Sequence, residues 1–282
     1  MEEHLIRNKE DFLFTRLFSN NSKETIIVLH GGPGVPNEME LVTDLLSKSH
    51  QVIIFHQRGT KKSTCLTNDY SINAYISDIN TISKYFKIEK FHIFGHSWGG
   101  LYAQLYAQQF PENVLSLFLS CSISGTGRQY VEISKEIEKY NIVRVNFSTL
   151  LKLSWFTLFA KLGNDTAYKK ILQVILSNYN SGYIINPKYH PNVENVKAKA
   201  INKTRREIKK SNDLLDTFNT TPYKVTIIYG ENDIFTKSKI YLFNRFPKAK
   251  KITITKCGHN PWLHNYNEFE SIIGQHYNEN QT

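Results

Sequence analysis

The chain is poor in cysteine, with 3 residues in 282, and poorer in acidic groups than in basic ones, 25 against 35. Cys65, Cys121 and Cys257 are odd in number and far apart, which excludes a disulfide framework and points to reduced thiols in a cytoplasm. Cys257, two residues before a histidine, reads as a small packed side chain. No apolar run approaches the length of a membrane span. The opening residues Met1 to Lys9 include Glu2 and Glu3 and hold no apolar core, so no signal peptide is expected. There is no His/Cys ligand cluster, no dinucleotide-binding glycine loop and no internal repeat. These absences lead us to expect no metal, no cofactor and no membrane. Nothing in the pattern distinguishes a monomer from a homo-oligomer.

The excess of positive charge, net +10 with a pI near 9.3, raises the question of nucleic acid. It concentrates between Lys197 and Lys210, where Lys199, Lys203, Arg205, Arg206, Lys209 and Lys210 surround Glu207. That stretch has no aromatic residue on which a base could stack. It reads as a solvated helical face, and no nucleic-acid partner is expected.

What is present is a strand–helix alternation able to bury a large core, at 40% hydrophobic content. Residues 11–18 read as an early antiparallel strand, and 25–29 and 51–55 as buried strands. Helices are expected near 37–48 and over 71–86. In the second of these, Ile72, Ile76, Ile79, Ile82 and Phe86 share a face and Ser71 is the N-cap. Strands at 90–94 and 115–120 follow. Between 122 and 222 the alternation stops and helical patterns dominate, at 129–140, 148–162, 166–179 and 193–215. Strands return at 224–229 and 251–255. The expected architecture is α/β: a mostly parallel sheet with helices on both faces, formed by residues 1–121 and 223–282, and a helical cap, 122–222, inserted after strand six. Substrate selection is expected in that cap. Its aromatic piece, Leu151 to Phe159 with Trp155 and Phe156, is expected to pack cap against core, with lining of the pocket the alternative.

The chemistry lies at strand ends. Gly95-His96-Ser97-Trp98-Gly99 is a G-x-S-x-G pentapeptide between a strand and a helix, the setting of a nucleophile elbow. The strand at 25–29 runs into His30-Gly31-Gly32-Pro33-Gly34, a glycine-rich bend whose amides can face a developing oxyanion. Gly32 and Trp98 are the expected donors. Downstream, Asp233 follows one strand and His259 the next, completing the order Ser, Asp, His. In that arrangement His259 takes the proton of Ser97 and Asp233 holds the imidazole tautomer, with Glu231 the alternative acid. A serine at 97 excludes hydrolases that need an aspartate nucleophile.

His30-Gly-Gly-Pro-Gly34, Gln57-Arg58-Gly59, Gly95-His-Ser-Trp-Gly-Gly100, Gly230-x-x-Asp233 and Gly258-His259 together resemble the proline iminopeptidases. The resemblance covers both halves of the core and skips the cap. It implies an α/β-hydrolase fold, Ser97, Asp233 and His259 as triad, and Gly32 and Trp98 as oxyanion hole. It also implies a serine aminopeptidase that releases N-terminal residues from small peptides. Two positions depart from that pattern. Where the group has Asp-Gln-Arg-Gly-x-Gly, this chain has His56-Gln57-Arg58-Gly59-Thr60-Lys61, and Ile234 replaces a glutamate that in several members binds the substrate amine. An amine in a closed pocket needs a carboxylate. The cap offers Glu132, Glu136, Glu138, Glu194 and Glu207, and Glu132 or Glu136 is the expected amine-binding residue. A carboxylesterase or lactonase with the same triad is the alternative, and a non-catalytic binding protein would need no aligned triad. The expected partner is a small-molecule or short-peptide substrate.

Overall fold

Strand formation begins earlier than the pattern suggests. In the computed structural model, which describes residues 1–22, 24–36, 39–185, 193–212 and 215–277, Glu2–Asn8 (β1) pairs antiparallel with Asp11–Phe18 (β2). Exposed side chains alternate with buried ones along β1, so its apolar content is too low for the strand to stand out in sequence. The remaining elements in chain order are Thr25–Leu29 (β3), Glu40–Leu46 (α1), Gln51–Phe55 (β4), Ile72–Tyr85 (α2), Phe91–His96 (β5), Trp98–Gln109 (α3) and Val114–Ser120 (β6). Gly127–Ile142 (α4), Phe147–Lys161 (α5), Asp165–Asn180 (α6) and Ala198–Lys210 (α7) make up the helical insert. Lys224–Gly230 (β7), Lys237–Arg245 (α8), Lys250–Ile254 (β8), Pro261–His264 (α9) and Tyr266–Tyr277 (α10) complete the core.

The eight strands form one sheet in the order β1-β2-β4-β3-β5-β6-β7-β8. The first two pairings across β2 are antiparallel and all the others parallel. Central strands are buried on both faces, so their apolar runs are continuous and odd and even positions serve different layers. Ile27, Leu29, Ile53, Ile93, Leu117 and Ile227 pack under α2, α3 and α8. Ile26, Val28, Ile54, Phe94, Phe118 and Ile228 pack with residues of α1 and α10 on the other side. Burial of these side chains, about 1.5–3 kcal/mol each, is the main force holding the sheet between its helices.

Ser71 caps α2 as its spacing predicts, its side chain accepting from the Ala74 N–H. The helix expected near 37–48 is Glu40–Leu46, with Asn37 and Glu38 outside the described residues. The helix expected over 193–215 is confined to Ala198–Lys210, with Asp213 and Leu214 outside the described residues. The aromatic piece of α5 corrects an expectation. Leu151, Trp155 and Leu158 face outward at 56%, 62% and 54% exposure, while Phe156 and Phe159 pack on a small cluster formed largely within the insert. A helix apolar on every side cannot be oriented from its periodicity. None of the described helices is long and apolar enough to cross a membrane.

Candidate active site

The elbow is built by a serine held where few residues can sit. Ser97 has φ 54 and ψ −117, between the end of β5 and the start of α3. This backbone is strained, and it survives because strand and helix fix both flanks. Helix α3 lies so close to β3 that a side chain on Gly99 would run into the Leu29 carbonyl. The hydroxyl is thereby raised above the carboxyl edge of the sheet. Trp98 is the first helical residue, where an N–H has no acceptor within its own helix.

Asp233 and His259 arrive on the loops after β7 and β8. The two loops are tied by Asn232 N–H donating to the Cys257 carbonyl at 2.8 Å. His259 Nδ1 lies 2.9 Å from Asp233 Oδ1, and His259 Nε2 lies 3.1 Å from Ser97 Oγ. With Nδ1–H donating to the carboxylate, Nε2 is left to accept the serine proton. Both side chains are nearly removed from solvent, at 5% and 2% exposure. The imidazole is held by the rings of His96, Tyr179 and Phe235 at 4.9, 5.1 and 5.2 Å. Burial, with His259 a lesser contributor, lowers the pKa of His96 well below the ordinary range, so the neighbouring ring stays neutral. Glu231, the alternative acid, is exposed and accepts from the Lys256 N–H at 3.0 Å, away from the histidine.

Cys121, Asp233 and His259 have ligand atoms within metal-binding reach of one another. Their chemistry does not suit an ion, because the carboxylate and Nδ1 are engaged with each other. Burial first, then Asp233, also holds the Cys121 thiol well above its usual pKa. Cys257 is fully buried and pushed up to about 12 by the same two causes, which makes it packing material.

The glycine-rich loop reaches the same point. A Cβ on Gly31 would lie 3.0 Å from that of Ser97, and Gly31, Gly32, Ser97, Trp98 and His259 all line one cavity of about 320 Å³. Two residues that the sequence reading left without a role lock this geometry. Gln57 is wholly buried; its Nε2 donates to the His30 carbonyl at 2.9 Å and its Oε1 accepts from the Trp98 indole at 3.0 Å. Arg58 grips Asp78 with Nε at 2.9 Å from Oδ2 and Nη2 at 2.6 Å from Oδ1, and donates to the Ala74 carbonyl at 2.9 Å. This buried fork anchors the Gln57 loop on α2. The Gln-Arg-Gly match was a signal for both, but their partners are distant in sequence.

Neither proposed amine-binding glutamate reaches the cavity. Glu132 accepts from the Tyr241 hydroxyl at 2.5 Å, with Lys237 and Arg128 beside it. Glu136 accepts from the Lys237 N–H at 2.9 and 3.1 Å, at the start of α8. Both face α8 because α4 packs that face against it, and the expectation is corrected accordingly. Glu194 pairs with Lys169, Glu138 is exposed, and Glu207 is absent from the described lining. Ile234 is buried and puts an aliphatic side chain into the cavity. His56, which stands where the related pattern has aspartate, packs its ring on Phe14 at 4.7 Å, tilted by 31°.

Residues 24–266 match the family described by the alpha/beta hydrolase fold, and the chain belongs to that family. Within it, the chain is similar to the proline iminopeptidase of Lactobacillus acidophilus, 28% identical over 124 residues. That match covers 42% of this chain and 42% of the relative, less than half the length of either. The solved structure of VinJ shares the fold with a TM-score of 0.72 at 13% identity over 97% of each chain. An esterase from Exiguobacterium antarcticum has a TM-score of 0.67 at 19% identity, over 96% of this chain and 97% of that one.

Proposed function

We propose that the protein is a serine hydrolase that cleaves a small ester or amide through an acyl-enzyme. The observation that carries this reading is the unbroken relay from Asp233 Oδ1 to His259 at 2.9 Å and on to Ser97 Oγ at 3.1 Å, opening onto an apolar cavity. Ser97 Oγ attacks the carbonyl carbon while His259 Nε2 takes its proton. The carbonyl oxygen becomes an oxyanion held by the Gly32 and Trp98 amides. As the tetrahedral species collapses, His259 returns the proton to the departing alcohol or amine. Water then attacks the acyl-serine by the same route, and Ser97 is restored with release of the acid.

The residues around the cavity favour an esterase over an aminopeptidase. The relatives named proline iminopeptidase support amide chemistry, but a substrate ammonium needs a buried carboxylate. Ile234 lines the cavity instead, and of the cap glutamates Glu132 and Glu136 are committed to α8. The test is a fluorophosphonate probe together with chromogenic substrates, proline and alanine arylamides beside short acyl esters. Wild type is expected to be labelled and Ser97→Ala to be blank, with esters cleaved faster than arylamides. Equal labelling of both forms removes the nucleophile assignment. A strong preference for free-amine arylamides over their N-acetyl forms restores the aminopeptidase.

A further inference from the structure

The helical insert delivers a cation to the cavity that the catalytic steps do not use. Arg205 lies on α7 one turn beyond Ile201, whose side chain sits against Gly34 of the glycine-rich loop. It stands at the border of the solvated face formed by Lys199, Arg206, Lys209 and Lys210 and is itself exposed. Arg205 lines the same cavity as Ser97 and His259 and is solvent-accessible there. Its Nη1 donates to the Tyr168 hydroxyl at 2.6 Å, and Tyr130 is a second hydroxyl neighbour. Tyr179 belongs to the same frame and packs edge-on against the His259 ring at 5.1 Å. Tyr179 thus neighbours both the guanidinium and the His259 ring.

Among the described residues no carboxylate pairs with Arg205, whose partners are neutral phenols. Tyr168, ahead of the opposing effect of burial, raises its pKa, so the charge is permanent. A guanidinium that faces the cavity without a counter-ion offers charge-assisted donors to an anion that enters it. Lys61 lines the cavity as well, at φ 46, in the left-handed region where the related pattern carries glycine. The described lining holds a single carboxylate, Glu40.

We propose that Arg205 is the subsite for a substrate carboxylate, so that the ester or amide cleaved at Ser97 also carries a free carboxylic acid. A planar guanidinium presents two parallel donors to two carboxylate oxygens. The inference rests on the serine hydrolase reading. It replaces an amine-binding pocket with an acid-binding one.

The test compares isosteric esters. Mono-4-nitrophenyl glutarate is set against 4-nitrophenyl valerate, and 4-acetoxybenzoate against phenyl acetate, in wild type, Arg205→Met and Arg205→Lys. In at least one pair wild type is expected to prefer the anion by about 10- to 100-fold in kcat/KM, the value of a charge-assisted hydrogen bond. Arg205→Met should lose that ratio and Arg205→Lys regain part of it. Should the variants fail to fold, the wild type decides: glutarate slows fluorophosphonate labelling of Ser97 and glutaramide does not. No charge preference in either pair, or equal protection by the two compounds, overturns the assignment while labelling stays intact. Protection by inorganic phosphate as strong as by glutarate overturns the carboxylate. Absence of labelling in wild type removes the hydrolase reading itself, a separate failure.

Discussion

At the scale of single residues, the site is a set of side chains whose worth depends on one hydrogen bond each. Asp233→Asn keeps the size but offers an N–H where His259 Nδ1–H needs an acceptor. We expect kcat to fall by about 10⁴-fold with labelling by the fluorophosphonate slowed in parallel. Gln57 is a sharper probe, because it touches no reacting atom. Gln57→Leu strands the His30 carbonyl and the Trp98 indole in a buried place, each at about 1–3 kcal/mol. The loop and the elbow then lose their common brace, and the proposed oxyanion donors, Gly32 and Trp98, lose their alignment. The expected result is a fall in kcat of about tenfold or more with a smaller change in KM, since the donors act mainly on the transition state. A change confined to KM would show that Gln57 shapes binding instead.

At the scale of elements, α4 and α8 interact through carboxylates that composition invites one to place in the pocket. Glu136 accepts the Lys237 N–H at the opening of α8, where the helix has no side-chain cap of its own. An anion at a helix N-terminus is stabilising. Glu136→Ala should therefore lower thermal stability by about 0.5–2 kcal/mol while leaving the ratio of arylamide to ester turnover unchanged. Thermal melts and the two assays on one preparation check this. A selective loss on the arylamide would reinstate the amine-binding role. The helical positions on α4 that carry Glu132 and Glu136 were legible in sequence; which neighbour they meet was not, because α8 lies about a hundred residues further along the chain.

At the scale of the molecule, the buried histidines set a response to acid. Burial lowers the pKa of His30 to about 4 and that of His276 to about 3, from an ordinary value of 6.5. His276 is held by Thr226 and Ser116 hydroxyls, both 2.8 Å away. The folded protein keeps these rings neutral while the unfolded chain protonates them near 6.5. Between that value and about 4 the unfolded state binds more protons, so stability falls as pH falls, by about 1.4 kcal/mol per pH unit for each such ring. Denaturant midpoints from pH 7 to pH 4.5 test this, and His276→Gln should remove about one proton from the slope. An unchanged slope in that variant would show that His276 is not held neutral. The insert makes its own prediction at this scale. Exchanging residues 122–222 with those of a relative should alter which ester is preferred and leave probe labelling of Ser97 in place. A folded chimera that keeps the original ranking would show that selection lies in the core.

Much of the fold was determined by the sequence alone. The apolar runs at 25–29, 51–55 and 224–230 need no partner to declare themselves as strands, and the glycine and serine spacing at 95–99 admits few backbones other than an elbow. Strand-end positions then order Ser97, Asp233 and His259, because a parallel sheet brings all carboxyl ends to one edge. Contacts between distant segments were decided only by the tertiary structure. Gln57 bridges loops separated by dozens of residues, Trp155 turns outward on a helix apolar all round, and Arg205, at the border of a lysine-rich face, lines the cavity. Local pattern records which residues are apolar or charged. The direction a side chain faces on a packed helix depends on what the rest of the chain places opposite it.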